Sequence, residues 1–174
     1  MKLFYAEVLE KGHDTVYRLL AHAVERTYGT ALPVLKKTPE GKPYFPDRGD
    51  IFFSLSHTKT HVMCALSGKD VGCDIESPRP VTQGLALRVN TPEQLEQFDF
   101  FTLWTLKESF IKLKGRLDRP MRAIDFSRCG ENIKAPELGM LCASYHLGGC
   151  TASVCGYEPA PQECIFVPAS ELYP

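Results

Sequence analysis

No Cys-x-x-Cys pair occurs among the seven cysteines, Cys64, Cys73, Cys129, Cys142, Cys150, Cys155 and Cys164. The odd count and the spacing argue against a structural zinc site or a complete disulfide framework. Cysteines set in apolar strand-like runs read instead as small buried hydrophobes. Charge of one sign is also lacking: the net value is −1 over 174 residues, which gives no bulk attraction to nucleic acid or membrane. No apolar run approaches the ~18 residues of a membrane-spanning helix, and no basic-then-apolar signal opens the chain, so the cytoplasm is the expected address. No internal repeat is visible. The single tryptophan, Trp104, fits core as easily as a site. What is present is 44% hydrophobic and 24% charged residues, enough for one domain-sized core or two small joined lobes.

Two segments carry chemistry. Val71-Gly72-Cys73-Asp74-Ile75-Glu76 reads as a buried strand after the Ser67-Gly68-Lys69-Asp70 turn. Alternation puts Asp74 and Glu76 on one face, Cys73 and Ile75 on the other. Trp104 to Lys112 reads as helix, with Leu103, Leu106, Phe110 and Leu113 recurring at three- and four-residue spacing in a core-facing stripe. At about 100° per residue, Glu108 and Lys112 fall nearly opposite that stripe and are free to face a cleft. The segments together offer three carboxylates and an ammonium to one divalent metal and phosphate. Taken singly, each has a plainer reading: Glu108 and Lys112 as an exposed helix pair contributing about 0.2–0.5 kcal/mol, Asp74 and Glu76 as the solvated face of a half-buried strand.

Along the rest of the chain, Lys2 to Leu9 reads as a strand and His13 to Tyr28 as a helix ending at Gly29. Lys36 to Asp50, rich in Pro, Gly and charge, reads as a loop approaching ligand, in which Lys42 is favoured over the solvated Lys36 and Lys37. Ile51 to Leu55 and His61 to Leu66 are short strands joined by Ser56-His57-Thr58. Ser77 to Pro92, with Pro78, Pro80 and Gly84, is the candidate hinge. The main helix runs from about Glu93, broken near Phe98, to Gly115; Thr91 is its N-cap and Glu93 a favourable charge in its first turn. Residues 123–128, 141–147, 151–157 and 164–167 read as strands, with Gly148-Gly149 as a hairpin turn. Lys112, Lys114, Arg116, Arg119 and Arg122 stand against Asp118 alone. That cluster suits an acidic protein partner or, equally, a solvated helix end.

The order Gly41-Lys42-Pro43, then Ser56-His57 after an apolar strand, then Gly72-Cys73-Asp74-Ile75-Glu76, then Trp104 through Lys112 resembles the motif order of the 4′-phosphopantetheinyl transferase superfamily. The likeness covers about 50 of 174 residues, from Gly41 to Glu76 and Leu103 to Gly115. It implies an α+β fold of two similar strand-helix-strand lobes, 1–80 and 81–174, related by pseudo-twofold symmetry with the active site in the cleft between them. It also implies transfer of phosphopantetheine from coenzyme A to a serine of an apo acyl or peptidyl carrier protein, releasing 3′,5′-adenosine bisphosphate. Hard oxygen ligands suit Mg²⁺, or Mn²⁺ in its place, and Asp74, Glu76 and Glu108 fit that description. Lys112 offers charge or a proton to the departing bisphosphate, and His57 touches phosphate as donor or cation. Gly41, Lys42, Pro43 and Ser56 join His57 and Lys112 in holding coenzyme A. Glu108 is either a metal ligand or the base that activates the carrier serine.

Roughly 70 residues precede Asp74, which resembles the two-lobed, monomeric surfactin type rather than the trimeric holo-acyl-carrier-protein synthase type. Only 27 residues separate Glu76 from Trp104, short for that type. Two rival readings are a different Mg²⁺-dependent phosphoryl-transfer or hydrolytic enzyme and a catalytically inactive module that binds coenzyme A or carrier.

Overall fold

Strand His61–Ser67 is buried along all seven of its residues, which an antiparallel strand is only when both its faces are covered. The computed structural model describes residues 1–9 and 12–173. In chain order its elements are β1 (Lys2–Glu7), α1 (Gly12–Tyr28), β2 (Lys36–Lys37), β3 (Pro43–Tyr44), β4 (Phe52–His57), β5 (His61–Ser67), β6 (Val71–Glu76), α2 (Gln83–Val89), α3 (Pro92–Gln97), α4 (Phe100–Lys114), β7 (Ser127–Cys129), β8 (Asn132–Lys134), β9 (Leu141–Leu147), β10 (Cys150–Gly156), β11 (Ile165–Phe166) and α5 (Ala169–Leu172). One sheet has the order β11-β1-β5-β4 and a second β6-β10-β9, while β2–β3 and β7–β8 are short hairpins. The expected α+β class is the one observed.

Strand alternation builds four layers. Phe4, Ala6, Val62, Cys64 and Leu66 of the first sheet pack against Leu19, Leu20, Ala23 and Val24 of α1. The intervening Leu3, Met63 and Ala65 face the second sheet, meeting Val71, Cys73, Ile75, Ala152 and Val154. The far side of that sheet takes α4, whose Leu103, Leu106, Phe110 and Leu113 pack with Phe126 and Cys155. Each such fully buried Leu or Phe contributes about 1.5–3 kcal/mol. Where the sheets meet, β4 and β6 share no ladder. Ser54 Oγ accepts from the Cys73 amide at 2.9 Å and Ser56 Oγ from the Ile75 amide at 3.3 Å, side-chain oxygens standing in for carbonyls.

Local chemistry explains the helix breaks. Thr91 and Gln94 form a capping box around Pro92, α3 stops at Phe98, and the Asp99 carboxylate restarts the chain by accepting from the Thr102 amide at 3.0 Å. Gly115, with φ 73°, ends α4 in the left-handed region. Four expectations need correction. Ser56 and His57 are the last residues of β4, paired with Met63 and Val62, and not part of the connection. The stretch expected as a hinge contains α2, capped by Thr82. Residues 123–128 are not one strand: a 3₁₀ turn, Met121–Ala123, precedes a loop that buries Ile124 and Phe126 before β7 begins. The basic loop 36–50 carries the β2–β3 hairpin. Strand β6 pairs with β10, and β11 pairs in parallel with β1, so each sheet draws strands from both halves of the chain. The cysteines are free, with Cys64, Cys73, Cys150 and Cys155 buried as small hydrophobes.

Candidate active site

Helix α4 lies on β6 closer than a side chain permits. A Cβ added at Gly72 would run into the Ser109 carbonyl oxygen and the Leu113 nitrogen, so the helix backbone rests directly on the strand there. Gly72, Asp74 and Glu76 share the face turned to α4. The close approach carries Lys112 to Asp74: Lys112 Nζ donates to Asp74 Oδ1 at 2.7 Å. Ser56 Oγ donates to the same oxygen at 2.7 Å. Asp74 Oδ2 is buried with no hydrogen-bond partner among the described residues. Burial holds the Asp74 carboxyl above its ordinary range, against the opposing charge and hydrogen bond of Lys112 and the hydrogen bond of Ser56.

Glu108, one helical turn before Lys112, is electrostatically part of this group. Burial first, then the negative charge of Asp74, raises its carboxyl; Lys112 opposes and Glu76 adds to the rise. Glu76 Oε2 accepts from Arg79 Nη1 at 2.6 Å, and Arg79 lies over the Phe101 ring. The structure thus brings together Asp74, Glu108, Lys112 and Ser56, with Glu76 at the edge and partnered by Arg79. Among the described residues no three acids, histidines or cysteines are gathered tightly enough to hold a metal as they stand. The donor set nevertheless fits a hard divalent cation, which would satisfy the unpartnered Asp74 Oδ2 and offset the burial, and with it the repulsion, that lifts Glu108.

Two cavities flank the group. Lys112 lines one of about 270 Å³ together with Gly41, Lys42, Pro43, Ser54 and Leu55. His57 and Glu76 line a second of about 780 Å³, with Gly12, Lys59, Ser77 and Arg79. The His57 ring packs against Gly12, where an added Cβ would come within 2.8 Å of it. Lys42 turns its ammonium to the C-terminal end of α4, donating to Leu113 O at 2.9 Å and to Asp70 Oδ1 at 3.3 Å. Only its stem is left to face the cavity. Much of the basic cluster is engaged too: Lys114 pairs with Glu137 at 3.1 Å, Arg119 with Asp118 at 2.9 Å, and Arg122 donates to Leu87 O at 2.7 Å.

Sequence reasoning missed Lys107, and it read Gly72 only as part of a motif, without its packing role. Lys107 is fully buried, and its ammonium donates to Val89 O at 2.7 Å and Gln94 Oε1 at 2.8 Å. Burial pushes its pKa down to about 8. It bolts α4 to the α2–α3 connection. The signal was available: Lys107 stands four residues after Leu103 and three before Phe110, on the apolar stripe itself.

No protein-family model matches the chain. Individual proteins do. Over 150 residues it is 31% identical to the 4′-phosphopantetheinyl transferase Sfp of Bacillus subtilis (strain 168), a match of 76% of this chain and 67% of that protein. A 4′-phosphopantetheinyl transferase of Bacillus subtilis is 38% identical over 86 residues, 44% of this chain but only 38% of the relative. The 4′-phosphopantetheinyl transferase AcpT of Escherichia coli (strain K12) is 31% identical over 112 residues, 56% of this chain and 54% of the relative. The matched stretches thus span about two-thirds of Sfp and less of the other two.

Proposed function

The chain belongs to the 4′-phosphopantetheinyl transferase family, and on that premise we propose that it moves phosphopantetheine from coenzyme A to a serine hydroxyl of an apo acyl or peptidyl carrier protein, releasing 3′,5′-adenosine bisphosphate. The observation that carries this reading is the 2.7 Å contact between Lys112 and Asp74. It joins two motifs 38 residues apart and places an ammonium and clustered carboxylates beside a cavity.

A pyrophosphate must be gripped, its charge neutralised and one phosphorus opened to a hydroxyl. Asp74 and Glu76, with Glu108 as the third candidate, would hold Mg²⁺ or Mn²⁺, which when bound would supply charge neutralisation and polarisation at the pyrophosphate. Lys112, oriented by Asp74, presents positive charge or a proton to the departing bisphosphate. Ser56 Oγ is engaged on both sides, so its part is to hold Asp74 rather than to touch coenzyme A. Gly41, Pro43 and the stem of Lys42 line the same cavity as Lys112 and would wall the coenzyme there. His57, at the other cavity, meets phosphate as donor or cation. Glu108 either completes the ligand set or takes the proton of the incoming serine.

The same reading takes the chain as a cytoplasmic monomer whose two lobes, 1–80 and 81–174, are related by a pseudo-twofold axis. One helix-covered sheet on each side of the central core is what such an axis would relate, with β6 and β11 each exchanged into the other sheet. No helix among the described residues is long and apolar enough to cross a membrane. The test is incubation with coenzyme A, Mg²⁺ and a panel of apo-carriers, followed by intact-protein mass spectrometry. The expected result is a carrier heavier by one phosphopantetheine with stoichiometric 3′,5′-adenosine bisphosphate. Cleavage of coenzyme A with no acceptor would point to a hydrolytic enzyme, and binding without cleavage to an inactive module.

A further inference from the structure

Cys142 and Cys155 face each other across β9 and β10, and their sulfur atoms stand 2.8 Å apart. Directly opposed residues of an antiparallel pair have Cα atoms about 4.5–5.5 Å apart, inside the range of about 4.4–6.8 Å that a disulfide spans. The opposed register therefore lies within disulfide reach. The two sulfurs are unequal in access. Cys155 is fully buried beneath α4, its thiol directed at Leu106 O at 3.7 Å. Cys142 is half-buried and lines a polar cavity of about 370 Å³ bounded by Arg128 on one hand and Asp99 and Glu131 on the other. That wall carries charge of both signs, which suits a small peptide bearing both carboxylates and an ammonium.

We propose that Cys142 and Cys155 form a redox-active dithiol, oxidised to a cross-strand disulfide by a small peptide disulfide of the glutathione class that enters this cavity. The thiolate of Cys142 attacks one sulfur of the incoming disulfide, breaking its S–S bond and expelling one peptide thiolate, which takes up the proton that Cys142 gave up and leaves as a thiol. Cys155 then gives up its proton and attacks the sulfur of Cys142, forming the protein disulfide and releasing the second peptide thiol. One disulfide is reduced to two thiols and one dithiol is oxidised, with no other reactant. Burial pushes the Cys155 thiol well above its ordinary range, so Cys142 is the entry sulfur. Contact between the two sulfurs compensates for the scarcity of Cys155 thiolate, because the second step is intramolecular. Neither residue belongs to the candidate active site.

Oxidised glutathione added to the full chain, followed by thiol blocking and non-reducing peptide mapping, tests this. The expected product is a linked peptide containing Cys142 and Cys155, lighter by two hydrogens than its parts and absent after reduction. In Cys155→Ser, glutathione should remain on Cys142; the wild-type map decides alone if that variant fails to fold. Blocking label on both cysteines of the treated wild type, glutathione left on its Cys142, or a different linked pair in their place would each overturn the proposal.

Discussion

Asp74 carries a sharp conflict: one carboxylate oxygen holds Lys112 and Ser56 while the other is buried with no hydrogen-bond partner among the described residues. An unsatisfied buried acceptor costs about 1–3 kcal/mol, and the burial that lifts the Asp74 carboxyl shows that the fold disfavours its charge. Under the proposed function such a group serves chemistry at the expense of stability. Asp74→Asn should therefore change folding stability by no more than about 1 kcal/mol while lowering phosphopantetheine transfer by ~10²-fold or more; urea denaturation and transfer kinetics on the same preparation check both. Glu108→Gln, which removes a charge that Asp74 and Glu76 repel, should melt no lower than wild type and also lose ~10²-fold in transfer. A Glu108→Gln variant with near-normal transfer at saturating Mg²⁺ would take that residue out of the site. Lys107 is the opposite kind of charge. With two buried acceptors depending on it, Lys107→Met should cost about 2–3 kcal/mol, seen as a lower urea midpoint.

Helix α4 is the element on which the site depends, and its seat on β6 requires the missing side chain of Gly72. Because the obstruction is backbone against backbone, no rotamer change relieves it. Gly72→Ala should cost about 3 kcal/mol or more, lowering Tm by about 6–12 °C, and should part Lys112 from Asp74. A melting curve superimposable on wild type would contradict this seat. The faces of β6 and α4 were legible in the sequence because alternation and helical periodicity are local: Asp74 with Glu76, and Glu108 with Lys112, follow from counting residues. The break at Phe98 and the cap at Thr91 were local too. What was not legible came from tertiary placement. The need for glycine at position 72 exists only because α4 crosses there. The engagement of Lys42 at Leu113 O depends on a loop folding back 71 residues away, and the facing of Cys142 and Cys155 depends on a register that spacing does not state.

At the scale of the whole molecule, two sheets sandwiched between α1 and α4 bring a strand and a helix distant in sequence to one point, which the proposed function takes as the place of transfer. The basic cluster beyond α4 is largely internally paired, which limits what any one of its charges adds to carrier attraction. Lys114→Ala, which removes a partner of Glu137 together with a positive charge, should chiefly raise the carrier concentration needed, and by less at high salt, where screening already weakens it. Lys112 stands about 160° away around the same helix, on the side of Asp74, and should govern rate instead. The measurement that bears most directly on the account is the maximal transfer rate of Lys112→Ala at saturating coenzyme A, Mg²⁺ and carrier, on protein shown to be folded. A fall of ~10²-fold or more is predicted; retention of the full rate would show that the Lys112–Asp74 pair is not where transfer occurs.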